Sequence, residues 1–382
     1  MGKIYFLTEC DPDLPTGGAI IRRGTINYLR KNNFSVVVVK PGESFKVVDE
    51  NTYTIPGFSV SKVYYALEAL GLVADKYFIW SNNLYKYMKN IIDKDDIIFA
   101  TTGGALSAVI AGIKLKIATG AKLIVNYHDP TDFTSLGNGF SRNSRFFHIN
   151  RDFYERKLIK RMDYIVTSSE AYKSLLVNKY PGIADKIECN YFGYIKESNY
   201  VKKQYEKTPS PLNIVYGGNM GTTQSPEILA EAIDGLEGVT ATFIGNYKAN
   251  ANLMRYVDSK NIALVDSLSM DEYFRYLYNK ADLGFFSLRN NLTNYCIPSK
   301  FFDYVNLGLP MVAVVGGDAR DLIIQNEYGI VSSDSSDELR SKIIEIRDNG
   351  YLPIFQKNVL EDKQIWSMNY RIKQLVDLIK KL

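Results

Sequence analysis

Four loops carry the residues whose types and spacing could do chemistry. Gly17 and Gly18 open a helical stretch in DPDLPTGGAII, just after the first apolar run. Adjacent glycines let the backbone approach a ligand, and a helix start presents free amides and partial positive charge to an anion. A tight turn with no ligand explains the pair equally well. His128 and Asp129 follow the run KLIVNY, which sets an imidazole and a carboxylate at the end of a strand, where a ligand would sit. A histidine satisfying a loop carbonyl is the plainer use of that position, and His148, in SRFFHIN, reads as structural or surface.

The stretch LNIVYGGNMGTTQSPEILAEAI puts Gly217, Gly218, Asn219, Gly221 and Thr222 between a strand and a helix, with Ser225 as N-cap and Pro226 in the first turn. Its physics is that of a phosphate loop, although neither GxGxxG nor GK[ST] is present. The most informative stretch is SLRNNLTNYCIPSKFFDYVNLGLPMVAVV, in which Pro298 and Ser299 precede a short helix ending near Gly308. Ser299 can cap that helix, and the amides of Ser299, Lys300 and Phe301 would point out of its start. Lys300 adds a full charge where a diphosphate could sit. Asp303, one turn on, can accept from ribose hydroxyls. Capping and a solvated lysine are the alternative for the same residues.

These loops need rigid elements to position them. At ~150 residues per domain, the 382 residues predict two to three domains. With 46% hydrophobic and 23% charged residues the chain can fill ordinary cores. A net charge of +4 excludes a dedicated nucleic-acid polycation. Cys10, Cys189 and Cys296 lie far apart without CxxC spacing, and the chain has 2 histidines, so no disulfide framework or zinc site is expected. The start MGKIYFLTEC is too short in its apolar run for a signal peptide, and the expected location is cytoplasmic. The uncharged stretch Ile97 to Ile113 contains the break TTGG and reads as strand, turn and helix rather than a membrane span.

Short β-branched runs alternate with segments of helical period, the pattern of βα units and a parallel sheet. KIYFL, SVVVVK, DIIFA, KLIVNY and DYIVTS mark the first half; LNIVY, GVTATFIG, NIALVD, ADLGFFS, PMVAVV and GIVSS mark the second. Between them KESNYVKKQYEKTPSP has no hydrophobic period, so residues 201–211 are expected to be an interdomain linker. The expected fold class is therefore α/β, with two Rossmann-like, doubly wound parallel-sheet domains. In such sheets ligands bind at the carboxyl ends of the strands.

At these residues the chain resembles the retaining GT-B glycosyltransferases, the group related to glycogen synthase and the mannosyltransferases. The resemblance runs nearly end to end: the Gly17–Gly18 loop, IVNYHD, RDFYERKLIKRMDYIVTSSEAYKSLL, GGNMG, and a closing helix IWSMNYRIKQLVDLIKKL with Trp366. It implies a GT-B architecture, with the two domains facing across a cleft. Domain one would be residues 1–200 plus a crossing helix 364–382, and would bind the acceptor; residues 212–363 would bind the nucleotide sugar. The family's donor motif, a Glu, seven residues and a second Glu, falls here on Tyr295 and Asp303. Its PSK form, Pro298 through Pro310, is similar to a branch of polysaccharide and lipopolysaccharide transferases. Where the family has an Arg and a Lys after the glycine loop, this chain has Thr222, Thr223 and Gln224, so Lys300 and helix amides would compensate. Ser267 and Leu268 match the place that holds the nucleotide base.

The resemblance implies transfer of a hexosyl or amino-sugar group from a nucleotide-diphosphate donor to a carbohydrate or lipid-linked acceptor hydroxyl in cell-surface glycan synthesis. Retention, with no metal and no cofactor, is implied in the same way. Gly17, Gly18, Gly221 and the helix start at Ser299 would cradle the diphosphate, Lys300 would neutralise it, and His128 and Asp129 would face the sugar. A silent GT-B partner subunit, or a nucleotide-sugar epimerase, remains open. ADKYFIWSNNLYKYMKN combines Tyr77, Phe78, Trp80 and Tyr85 with lysines; it suits either peripheral contact with the inner membrane face or an amphipathic helix with its apolar side buried.

Overall fold

β-branched and aromatic runs free of internal charge become strands here because a sheet covered on both faces buries both sides of each strand. The computed structural model describes residues 2–14, 16–58, 61–131, 145–221, 223–289 and 294–382. The chain divides into two units, Met1–Phe192 with Arg371–Leu382, and Gly193–Tyr370.

In the first unit the order is β1 (Ile4–Leu7), α1 (Gly17–Lys31), β2 (Val36–Pro41), β3 (Lys46–Asp49), β4 (Thr52–Ile55), α2 (Lys62–Ala69), α3 (Phe78–Met88), β5 (Ile97–Gly103), α4 (Ser107–Thr119), β6 (Lys122–Asp129), α5 (Arg145–Ile159), β7 (Tyr164–Thr167), α6 (Glu170–Lys179) and β8 (Ile187–Cys189). The sheet runs β3-β4-β2-β1-β5-β6-β7-β8. All its pairings are parallel except β3 with β4. This antiparallel strand lies at the sheet edge: β3 is exposed along its length and lacks the apolar run of the strands within the sheet. Strand order reverses at β1, between β2 and β5, and ligands of such sheets bind outside the strand ends at this switch point.

The second unit holds β9 (Leu212–Gly217), α7 (Glu227–Ile233), β10 (Val239–Ile244), β11 (Ile262–Val265), α8 (Met270–Lys280), β12 (Leu283–Ser287), α9 (Ser299–Leu307), β13 (Met311–Val314), α10 (Gly317–Gln325), β14 (Gly329–Val331), α11 (Ser336–Asn349) and α12 (Leu352–Asp362). Its sheet is parallel throughout, in the order β11-β10-β9-β12-β13-β14, with the switch point at β9. The core centres on Leu212, Ile214, Phe243, Leu283, Phe285 and Val312, all fully buried.

Three features are set by contacts distant in sequence. The segment 201–211, expected as a linker, lies inside the second unit: Lys202 N donates to Leu307 O at 2.9 Å, and Tyr205 N to Gln356 Oε1 at 2.6 Å. The chain returns to the first unit within α13 (Met368–Lys380), from Arg371 on, whereas Trp366 precedes that helix and belongs to the second unit. In α3, Trp80, Leu84 and Met88 are fully buried, Phe78 and Tyr85 are half-buried, and Lys86 is exposed. Among the described residues no helix is long and apolar enough to cross a membrane.

Candidate functional site

In the second unit β9 runs out into Gly218, whose φ of 118° glycine adopts at little cost. Gly218 and Asn219 are exposed, and the turn is tied down by Tyr216, whose hydroxyl donates to the Asn219 carbonyl. Lys300 reaches this turn from the first turn of α9. Its Nζ lies 4.9 Å from the centre of the Tyr216 ring and 3.2 Å from the point where a Cβ on Gly218 would stand. An ammonium is thereby held between an aromatic face and bare backbone.

α9 starts with Pro298 in the cap position (φ −65°, ψ 144°), and no side chain bonds to its first amides. Phe301 N donates to Pro298 O at 3.0 Å. The amides of Ser299 and Lys300 have no protein acceptor among the described residues. Burial pushes Lys300 down to about 8, and the same burial pushes Asp303 up to about 7 against the pull of the Lys300 charge. Near neutral pH the lysine is still mostly charged. A cation, two open amides and an exposed glycine turn at the switch point of a parallel sheet make an arrangement that can hold an oxyanion.

In the first unit His128 and Asp129 end β6. His128 is 6% exposed, its ring centre is 4.8 Å from that of Phe192, and its carbonyl accepts from Ser168 Oγ at 2.7 Å. Burial and the nearby Arg22 charge hold its imidazole well below the usual range, so it is neutral. Thr16 caps α1 by accepting from Ala19 N at 3.4 Å. Gly17 and Gly18 are exposed, and Gly18 O accepts from Arg22 Nη1 at 3.0 Å. A Cβ on Gly18 would stand 2.8 Å from that same Nη1, so the bare backbone here makes room for an arginine of its own helix.

His128 gives this unit a pH signature. The unfolded chain binds a proton on an exposed imidazole below about 6.5, and the native site does not, so stability is lost as pH falls through that value, by about 1.4 kcal/mol per pH unit below it. Replacing His128 by Gln should remove this acid limb. Melting curves of the two proteins at pH 7.5 and 5.5 are expected to converge towards acid; parallel curves would show that His128 titrates normally.

Residues 17–194 match the family model Glycosyltransferase Family 4. In structure, sucrose-phosphate synthase from Thermosynechococcus elongatus is similar at a TM-score of 0.73 and 12% identity, covering 100% of this chain and 99% of that one. The lipopolysaccharide outer core galactosyltransferase WaaB gives 0.70 and 12%, covering 100% of both chains. Anabaena HepE in complex with UDP gives 0.71 and 14%, again over 100% of both. This chain has the GT-B glycosyltransferase fold. The resemblance read from the sequence therefore holds for GT-B, and the likeness at these identities is one of fold. No curated protein matches the chain in sequence.

The structure departs from expectation at the Phe301 amide and at the caps expected at Ser299 and Ser225. Phe301 is fully buried, its ring 4.9 Å from Trp366 and nearly perpendicular to it, and its amide is taken by Pro298. Ser299 is the first helical residue rather than the cap, because Pro298, with its fixed φ, already turns the chain. Ser225 adopts a φ of 34° and α7 begins at Glu227 behind Pro226, so Ser225 is not the cap either. The Gly221 carbonyl accepts from Gln224 and Ser225 at 3.1 and 3.0 Å, building the turn into α7. Thr222 lies outside the described residues. Tyr295 is half-buried in a short turn before α9. Ser267 is exposed and Leu268 half-buried, just ahead of α8 with its Ser269–Glu272 capping box.

Three further residues beside these loops, Tyr273, Glu9 and Arg22, escaped the sequence reading. Tyr273, from α8, lies against Gly217, where a Cβ would meet its hydroxyl at 2.6 Å. Glu9 follows β1 and takes Ser107 Oγ at 2.7 Å and Ala108 N at 2.9 Å on one oxygen, at the start of α4. Burial, with Asp75 near, pushes its carboxyl up to about 7. Arg22 is the third, and its only sequence signal is a charge on the inner face of an amphipathic helix. Among the described residues no group of three His, Cys, Asp or Glu is placed to hold a metal ion.

Proposed function

We propose that this protein transfers a hexosyl or amino-sugar group from a nucleotide-diphosphate donor to a hydroxyl of a carbohydrate or lipid-linked acceptor, with retention and without a metal, in cell-surface glycan synthesis. The observation that carries the reading is the Lys300 ammonium, 3.2 Å from the Cβ position of Gly218, beside the open amides of Ser299 and Lys300. Sugar transfer leaves a diphosphate, and fixed donors aimed at that developing charge lower the barrier without reorganising. The Lys300 cation also stands in for the basic pair absent at Thr223 and Gln224. Asp303, one turn along α9, would take ribose hydroxyls, and the neutral His128 with Asp129 would face the sugar. The first unit is assigned the acceptor and the second the nucleotide.

The test is thermal stability with UDP, GDP, CMP and their common sugar conjugates, with and without EDTA. At ~100 times its dissociation constant, a ligand stabilises the native state by about 2.7 kcal/mol. One nucleotide should raise the melting temperature, and the shift should survive EDTA. A shift abolished by EDTA would remove the metal-free reading. No shift with any nucleotide would remove the transferase reading and leave a silent GT-B partner subunit.

A further inference from the structure

Gly103, the last residue of β5, stands beside the switch point of the first sheet and pairs in register with Asp129 of β6. A Cβ on Gly103 would lie 3.4 Å from Arg22 Nη2 and 3.5 Å from Asp129 Oδ2. A guanidinium N–H and a carboxylate oxygen thus flank one bare, half-buried α-carbon. Gly103 is not among the glycines with positive φ, so the backbone there would accept any residue. Its lack of a side chain matters for space.

Arg22 is fixed for this role. It is 5% exposed; Nε donates to Thr101 Oγ1 at 3.1 Å, and Nη1 donates to Gly18 O at 3.0 Å. Nη2 has no acceptor among the described residues, and Arg22 forms no ion pair there. The Glu9 carboxyl, itself pushed up to about 7, interacts electrostatically with it, Asp129 Oδ2 shares the Gly103 corner, and His128 is neutral. A phosphate entering this corner would gain one N–H and meet the Asp129 carboxylate. A sugar hydroxyl is both donor and acceptor, so two neighbouring ring hydroxyls fit the pair without adding charge.

We propose that Arg22 Nη2, Asp129 and the open edge of Gly103 form a subsite for two adjacent hydroxyls of an uncharged pyranose, one accepting from Arg22 and the other donating to Asp129. The proposal rests on the assignment of the acceptor sugar to the first unit and names the side chains that select it. Arg22 is a binding residue here, Gly18 positions it, and Gly103 holds the space open.

Gly103→Ala in the full chain is the decisive variant, because its contacts of 3.4 and 3.5 Å are ordinary van der Waals distances that the fold tolerates. The probes are methyl α-glucoside, methyl α-galactoside, methyl α-mannoside and N-acetylglucosamine, followed by saturation-transfer NMR. At least one should bind the parent protein, and Gly103→Ala and Arg22→Gln should each weaken it about tenfold or more. The thermal shift given by a nucleotide should be the same in parent and Gly103→Ala. Equal sugar binding by both proteins, or none by the parent, overturns the subsite even where the nucleotide shift is intact. Inorganic phosphate that displaces the sugar from the parent would show an anion site and overturn it as well. Loss of every nucleotide shift, with sugar binding still sensitive to Gly103→Ala, would instead count against the transferase reading alone.

Discussion

Lys300→Ala is expected to lower turnover by about 10²–10³-fold, the cost of removing one preorganised donor from a developing oxyanion. The melting temperature should change little, because the lysine head packs on the Tyr216 ring and a glycine turn rather than in the core. The pH profile gives an independent reading of the same residue. With burial pushing Lys300 down to about 8, the cation is lost as pH rises through that value, and turnover should fall on the alkaline side. Lys300→Arg keeps its charge there, so whatever activity it retains should lack that alkaline limb. Near-normal turnover in Lys300→Ala, or an alkaline limb unchanged in Lys300→Arg, would take Lys300 out of the site.

The largest stability effect is expected at Arg151, on α5 of the first unit. Its guanidinium is 2.8 Å from Glu68 and 3.6 Å from Asp75, with all three side chains almost wholly buried. It also donates to Gly104 O at 3.2 Å. Asp75 in turn accepts from Leu106 N at 2.6 Å and Tyr77 N at 2.7 Å. One arginine thus braces the segment between β5 and α4, next to Gly103. Arg151→Ala strands two carboxylates without a cation and should cost about 3–5 kcal/mol. Urea unfolding should show the first unit's transition moved to lower denaturant. A shift below about 1 kcal/mol would mean that the pair is worth no more than a surface bridge.

Both predictions rest on residues that differ in how plainly the sequence announced them. Lys300 was legible because its placement is local: a lysine directly after Pro-Ser, at a helix start, is positioned by a few neighbouring residues. The same holds for the glycine turn after β9 and for His128 and Asp129 at the end of β6. Strands β1, β2, β5, β6 and β7, and the strands of the second sheet, showed as apolar runs between turn signals, and the alternation with helices set the doubly wound class. Strands β3, β4 and β8 did not show, because they lie at or near a sheet edge and keep mostly exposed or half-buried side chains.

Other residues owe their roles to partners far along the chain. Arg22 is held in place because its Nε meets Thr101, 79 positions away. Glu9 is held at about 7 because it is buried against the start of α4, nearly a hundred residues downstream. Phe301 carries the same kind of side chain as a pocket aromatic, yet Trp366 draws it into the core. Residues 201–211 have a linker's composition, but backbone and side-chain bonds to Leu307, Gln356 and Asp282 bind them to the second unit. The sequence alone determined the local chemistry, which elements form and which loops carry charge or glycine, because these depend on a few consecutive residues. Only the tertiary structure decided which buried charges meet and which glycines leave space between them, because burial and pairing are properties of chain segments that sequence order keeps apart.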